Sequence, residues 1–283
     1  MNHIIYSFLT VFLILSSSVK AFDSETIIAT NHSIYDSFQK WTKVTPCENI
    51  SSFDSPYANR GTVELVLICQ ALNVAGYKTK ITLQQYPNYE RALTQAKHGI
   101  VHIPAESLWE GDIDDEYFYK TSAIIQNGEF EKGIYTLASN THVLAAKSLQ
   151  DLQGLKAVMP KIWSVDWQTL QAMKVDTSSA PNKINMFKMI KAKRIDFTIL
   201  EFSHAEDMSN QLAGIRLIPV PNIKIGLQGA RYLVVSKKSP NAEALYNALN
   251  RGVTQLRETG VITKALTESG FINKRVKFWN KVF

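Results

Sequence analysis

SLQDLQGLKAVMPKIWSVDWQTLQ, residues 148–171, sets the pattern that the rest of the chain repeats. Ser148 followed three positions on by Asp151 is a capping pair, so SLQDLQG (148–154) reads as a short helix that stops at Gly154. LKAVMP (155–160) is an apolar run of strand length closed by Pro160, and SVDWQTLQAM (164–173) reads as a second helix. A strand flanked by helices belongs to an α/β layer. Trp163 stands just ahead of the second helix. With Ser164 as N-cap, Trp163 takes the N′ position, where a hydrophobic staple needs an apolar N4 partner, and that residue is Gln168. Core packing therefore accounts poorly for Trp163, whereas Trp167, three residues before Leu170, suits the core.

The same grammar extends in both directions. Downstream, NKINMFKMIKAKR (182–194) reads as a helix and IDFTILE (195–201) as a buried strand. Strands at IRLIPV (215–220) and from Arg231 follow, then a helix over 241–259 with Leu245, Ala248, Leu249 and Leu256 on one stripe, ended by Gly260. Upstream, ETIIATN (25–31), KTKITLQQY (78–86) and IVHIP (100–104) read as strands. Between them lie a largely buried helix, GTVELVLICQALNVAG, and an amphipathic one, NYERALTQAKHG (88–99). The segment from His32 to Asn59 reads as irregular, and GIYTLAS (133–139) and THVLAAK (141–147) read as extended. Alternation of strand and helix, repeated without a low-complexity linker, predicts two α/β units of about 100–130 residues. Crossing strands join them, and a cleft lies between.

The opening MNHIIYSFLTVFLILSSSVKA reads as an export signal cleaved after Ala21, with Val19 and Ala21 at the peptidase spacing. Its apolar run, Ile4 to Leu15, is too short for about 30 Å of hydrocarbon, which takes roughly 20 residues. Loss of residues 1–21 lowers the formal charge from +6 to +5, spread along the chain. Only KRVKFWNK (274–281) clusters basic residues, and it reads as a solvated terminal element, so nucleic acid is not an expected partner. In an oxidising compartment Cys47 and Cys69 read as a disulfide; the alternative leaves Cys69 as a small buried hydrophobe. No histidine pattern accompanies them, so neither metal nor cofactor is expected. GxSxG, HExxH and GKS/GKT elements are absent from the sequence, which favours binding over catalysis.

Four stretches, taken in order, carry a family resemblance: YPNYERALTQAKHGIVHIP (86–104), SLQDLQGLKAVM (148–159), MFKMIKAKRIDFTILE (186–201) and NALNRGVTQLRETGVITKALTESGF (247–271). Together with the signal they resemble bacterial periplasmic solute-binding proteins of the type II fold, the group that includes amino-acid-binding components of ABC transporters. The resemblance covers nearly all of the chain after the signal. It implies a two-lobed α/β fold with a ligand cleft between lobes: lobe 1 from 22 to 130 and again from 228 to 283, lobe 2 from 131 to 227. The waist strands would lie near Gly133–Leu137 and Ile225–Leu233, where the lobes hinge.

The family's amino-acid binders usually carry Thr-x-x-Arg after the strand equivalent to IVHIP, with the arginine gripping the ligand carboxylate. Here that place reads AESLWEGD (105–112), which has no arginine. Glu106, Ser107 and Trp109 stand there instead and are candidate ligand contacts, with Tyr57 from the loop before the first buried helix. The resemblance turns the Trp163 and Ser164 corner toward the cleft, where Trp163 would stack on ligand and Ser164 donate to it; surface packing is the competing reading. It gives Glu201, at a strand's C-terminal end, the acidic contact for a ligand amine, against a salt bridge with a lysine. Arg60, a cation at a helix N-terminus, meets either ligand or Asp54. Arg231 has the same two readings, ligand or ion pair. His102 reads as a satisfied strand residue and His204 as a helix start.

These expectations describe a monomeric periplasmic protein that captures a small polar, amino-acid-like molecule for an inner-membrane ABC permease. A ligand-presenting component for a membrane receptor is the first alternative, and a dehydratase-like enzyme or a binding-dead scaffold on the same fold ranks below it.

Overall fold

The computed structural model describes residues 24–203 and 205–283, so the expected signal segment and His204 lie outside the described residues. The chain opens with β1 (Ser24–Thr30), α1 (His32–Thr42), α2 (Arg60–Val74), β2 (Thr79–Gln85), α3 (Tyr89–Lys97) and β3 (Ile103–Pro104). β1 runs parallel to β2 on one side, from Ser24 opposite Thr79 to Thr30 opposite Gln85, and parallel to β3 on the other. The strand expected over 100–104 is thus only two residues long.

α1 corrects the irregular reading of 32–59. Asn31 caps it by accepting the Ile34 N–H, and Ile34, Phe38 and Trp41 fall four and three residues apart on one buried face. Trp41 meets Phe53 edge-on at 6.2 Å. The Cys47–Cys69 disulfide then fastens the turn at 47–49 to α2. α2 is buried on every face from Gly61 to Leu72, which explains its continuous apolar sequence.

After β4 (Leu108–Trp109) and β5 (Phe118–Ile125) the chain leaves the first sheet and builds a second. β6 (Glu131–Thr136), α4 (Thr141–Leu144), α5 (Leu149–Gln153), β7 (Lys156–Met159), α6 (Ser164–Ala172), β8 (Asp176–Ser179), α7 (Lys183–Lys191) and β9 (Thr198–Leu200) come first. β10 (Asn210–Leu212), β11 (Ile215–Pro219) and β12 (Ile223–Gly226) complete it. β7 pairs in parallel with β8, β9 pairs antiparallel with β6, and a bridge between Ala157 and Phe197 joins the two pairs. The expected capping box at Ser148 and Asp151 is present. Two readings change: residues 141–144 are helical rather than extended, and the N-cap of α6 is Trp163 rather than Ser164, with no side-chain cap bond.

The chain returns as β13 (Arg231–Ser236), α8 (Ala242–Glu258), α9 (Val261–Glu268) and β14 (Asn280–Lys281). β13 pairs antiparallel with both β4 and β5. The Ser236 N–H donates to His102 O at 2.8 Å, which sets β13 beside β3 and extends the first sheet. α8 packs on α2 so closely that a Cβ at Gly252 would lie 1.9 Å from Ala71 O. β14 ends the chain on the second sheet, parallel to β12. No helix among the described residues is long and apolar enough to cross a membrane.

Candidate functional site

α2 begins at Arg60, and its first turn faces the loop between β3 and β4. Arg60 Nη1 lies 3.2 Å from Glu64, one helical turn on, and Nη2 lies 3.0 Å from Glu106 Oε1. Its partners are these two carboxylates and not Asp54. Glu64 is fully buried, and besides Arg60 it accepts the Ser107 N–H at 2.8 Å and the Ser107 hydroxyl at 2.7 Å. Arg231, buried on β13, donates its Nε–H to Ser107 Oγ at 2.9 Å and Nη2–H to Ser107 O. Three separate elements are therefore tied through one serine.

Charge follows burial in this cluster. Glu64 and then Glu106 raise the Arg60 pKa above its ordinary value against the opposing effect of burial, and Glu201 adds to them. Burial lowers the Arg231 pKa, and Arg60 pushes the same way. The Glu106 carboxyl is raised, chiefly by burial, although Arg60 opposes it. Tyr89, on the first turn of α3, is pushed up to about 12 by burial and shares the field of Arg231, Asp112, Glu106 and Arg60.

Trp109 lies at the inner end of this wall, with the Arg231 guanidinium 4.6 Å from its ring centroid and Phe130 nearly parallel at 6.1 Å. Phe130 in turn meets Phe271 at 4.3 Å, and Lys132 Nζ lies 5.2 Å from its ring. Gly229, in the segment between β12 and β13, brings Trp109 and α6 together: a Cβ there would lie 3.0 Å from Val165 and 3.3 Å from the Trp109 ring. The Gln228 N–H donates to Thr169 Oγ1 at 3.0 Å, so this segment is also bonded to α6. Tyr57 stands apart; it is half-buried and packs on the core, and among the described residues no side-chain hydrogen bond or ring contact joins it to the cluster.

A second group of side chains is gathered by the starts of α6 and α7 and the end of β9, within electrostatic reach of Arg60 through Glu201. Lys132, Trp163, Lys183, Leu200, Glu201, Phe202, Ser203 and Asn210 line an open groove of about 500 Å³. Lys132 and Asp166 form a buried ion pair at 2.5 Å. Asp166 is the acid in the first turn of α6, so the positive end of that helix already has its anion. Trp163, like Tyr57, is half-buried and packs on the core, with no ring partner among the described residues, and Ser164, the first residue of α6, has no side-chain hydrogen bond among them. Glu201 is exposed, and among the described residues its carboxylate makes no ion pair; Asn210 donates to its carbonyl at 3.1 Å. Its charge nonetheless reaches Arg60 on the other wall.

Of the residues expected to meet ligand, the fold joins Arg60, Glu106, Ser107, Trp109 and Arg231 in one contacting cluster, and it sets Trp163 and Glu201 along one groove with Ser164 next to Trp163 at the start of α6. Lys132, Asp166, Tyr89 and Glu64, none of them singled out by the sequence, are added to these groups by the fold. His102 is a satisfied residue, its Nδ1 accepting the Ile27 N–H at 3.0 Å. Cys47, Glu48 and Cys69 lie close together, but the two sulfurs are bonded to each other and offer no thiolate.

No protein-family model matches the chain, and no curated protein matches it. Solved structures do. Substrate binding domain 2 of GlnP from Lactococcus lactis, in an open conformation, superposes with TM-score 0.52 at 14% identity, covering 87% of this chain and 95% of that one. A Bacillus subtilis protein titled "probable amino-acid ABC transporter extracellular-binding protein" gives 0.53 at 15% identity, covering 86% and 96%. A second Bacillus subtilis protein gives 0.53 at 16% identity, covering 91% and 93%. The chain has the two-lobed α/β fold of the type II periplasmic binding proteins.

Proposed function

We propose that this chain is an exported binding protein that captures a small polar molecule, amino-acid-like in size, between its lobes and delivers it to an ABC permease in the inner membrane. The lobes are residues 22–130 with 228–283, and 131–227, with β14 at the end of the first reaching across to pair with β12 on the sheet of the second. The site comprises Arg60, Glu106 and Ser107 on one wall, with Trp163, Ser164 and Glu201 on the other. One observation carries the reading: in this fold a half-buried tryptophan and a carboxylate without an ion pair among the described residues line a groove of about 500 Å³, and the charge of that carboxylate reaches the buried Arg60 beside Glu106. Grooves of that size hold small ligands. Trp109 and Arg231 shape the inner end of the cleft rather than meeting ligand with free faces, since each is already engaged by the other. The protein acts by binding and release, without catalysis, as a monomer that keeps the Cys47–Cys69 bridge.

The test is a thermal-shift screen of the exported, oxidised chain against amino acids, amines, organic acids and aromatic metabolites. A ligand at a hundredfold over its Kd adds about 2.7 kcal/mol of stability. The reading requires at least one stabilising compound whose effect is lost in Trp163→Ala and in Glu201→Ala. A panel without effect, or stabilisation indifferent to both substitutions, removes its support.

A further inference from the structure

We infer that the cleft selects a ligand carrying an ammonium group and no free carboxylate, held between Glu106 on one wall and Glu201 on the other, with Trp163 against its carbon skeleton. The inference rests on the binder reading and specifies the ligand class for the same site.

The cations of the cleft are already used. Arg60 is taken by Glu64 and Glu106. Arg231 is taken by the Ser107 oxygens and the face of Trp109. Lys132 is closed off by Asp166 in a buried pair. Asp166 also occupies the positive end of α6, so that helix start has little left to offer an incoming anion. Lys183 is the remaining cation lining the groove among the described residues. It is exposed on the first residue of α7, where a strongly hydrated, flexible ammonium gives little grip on an anion.

The anions are not used up. Glu201 makes no ion pair among the described residues, and Glu106 gives only Oε1 to Arg60, its other oxygen having no hydrogen bond among them. A ligand carboxylate reaching Arg60 would place a third negative charge beside Glu64 and Glu106, and that repulsion discriminates against it. An ammonium instead meets two carboxylates from opposite walls, and Trp163 supplies the ring face that such cations favour. Closure of the lobes on the ligand then neutralises both acids together.

The experiment is isothermal titration of the exported, oxidised chain with choline, 1,4-diaminobutane, L-glutamine and succinate as probes, on the parent protein, Glu201→Gln, Lys183→Ala and Trp163→Ala. Circular dichroism confirms that each variant is folded. The expected result is tighter binding of an ammonium probe than of either carboxylate probe. That binding weakens about tenfold or more in Glu201→Gln, the loss for one charged hydrogen bond, and is not weakened in Lys183→Ala, which takes a like charge out of the groove. Tighter binding of L-glutamine or succinate, or amine binding indifferent to Glu201→Gln, overturns the ligand class; the binder reading survives if that binding is lost in Trp163→Ala. Absence of heat from every probe overturns the ligand class, and the broader thermal-shift panel then decides the binder reading separately.

Discussion

Glu64→Gln is the most informative single change in the first wall. Glu64 is fully buried and its two oxygens accept from Arg60 at 3.2 Å, from the Ser107 amide at 2.8 Å and from the Ser107 hydroxyl at 2.7 Å. Glutamine has the same shape but turns one acceptor into a donor facing donors, and it removes the charge that Arg60 answers. Breaking a buried ion pair from one side costs about 3–5 kcal/mol. Arg60 keeps Glu106 and is 31% exposed, which places the expected loss near the lower end, about 3 kcal/mol. For a chain of this size that corresponds to a Tm lower by about 6–12 °C. Urea titration and calorimetry read both quantities. Glu25→Gln is the control, because the Glu25–Lys80 pair is exposed at 4.0 Å and worth about 0.5 kcal/mol or less. If Glu64→Gln unfolds no earlier than Glu25→Gln, the buried network does not hold the wall together and the account of Arg60 fails with it.

Three further outcomes follow from the geometry. Gly252→Ala should destabilise by about 3 kcal/mol in urea titration, because its Cβ would meet backbone at Ala71 rather than a side chain able to move. Reduction of Cys47–Cys69, with a sequence separation of 22, should cost about 3 kcal/mol in the same assay if it acts mainly on the unfolded chain. Binding of an ammonium ligand should weaken as pH falls through the raised pKa of Glu106, since the protonated acid no longer attracts a cation. The groups that set that pKa are Arg60 and Glu64 on α2 and Arg231 on β13, with Tyr89 on α3 within the same field. A pH series of titrations shows the loss in the parent, and Glu106→Gln should flatten the part of it due to Glu106.

Much of the fold was legible because its elements carry their own signals. Ser148 and Asp151 announce α5, and the Gly76 and Gly99 stops bound α2 and α3, both with positive φ. α1 was missed because its buried face of Ile34, Phe38 and Trp41 is interleaved with polar and aromatic residues that resemble a loop. Residues 141–144 were misread because a single helical turn is too short to show a period. Trp163 illustrates the limit at a site: no N4 staple partner was visible for it, yet the fold packs it half-buried on the core, and its place as N-cap depends on a backbone geometry that a tryptophan does not advertise. Lys132 on β6 and Asp166 on α6 are 34 residues apart and meet only through the tertiary fold. A pair of that kind leaves no spacing to read, and neither does the convergence of Arg60, Ser107 and Arg231.

Small-angle scattering tests the central claim, a cleft that closes on a small molecule, most directly. The exported chain is measured alone and with the most stabilising compound of the panel at saturation. The account predicts a smaller radius of gyration with the compound present, absent in Trp163→Ala and Glu201→Ala under the same conditions. A saturated parent whose scattering profile matches that of the free protein would contradict it.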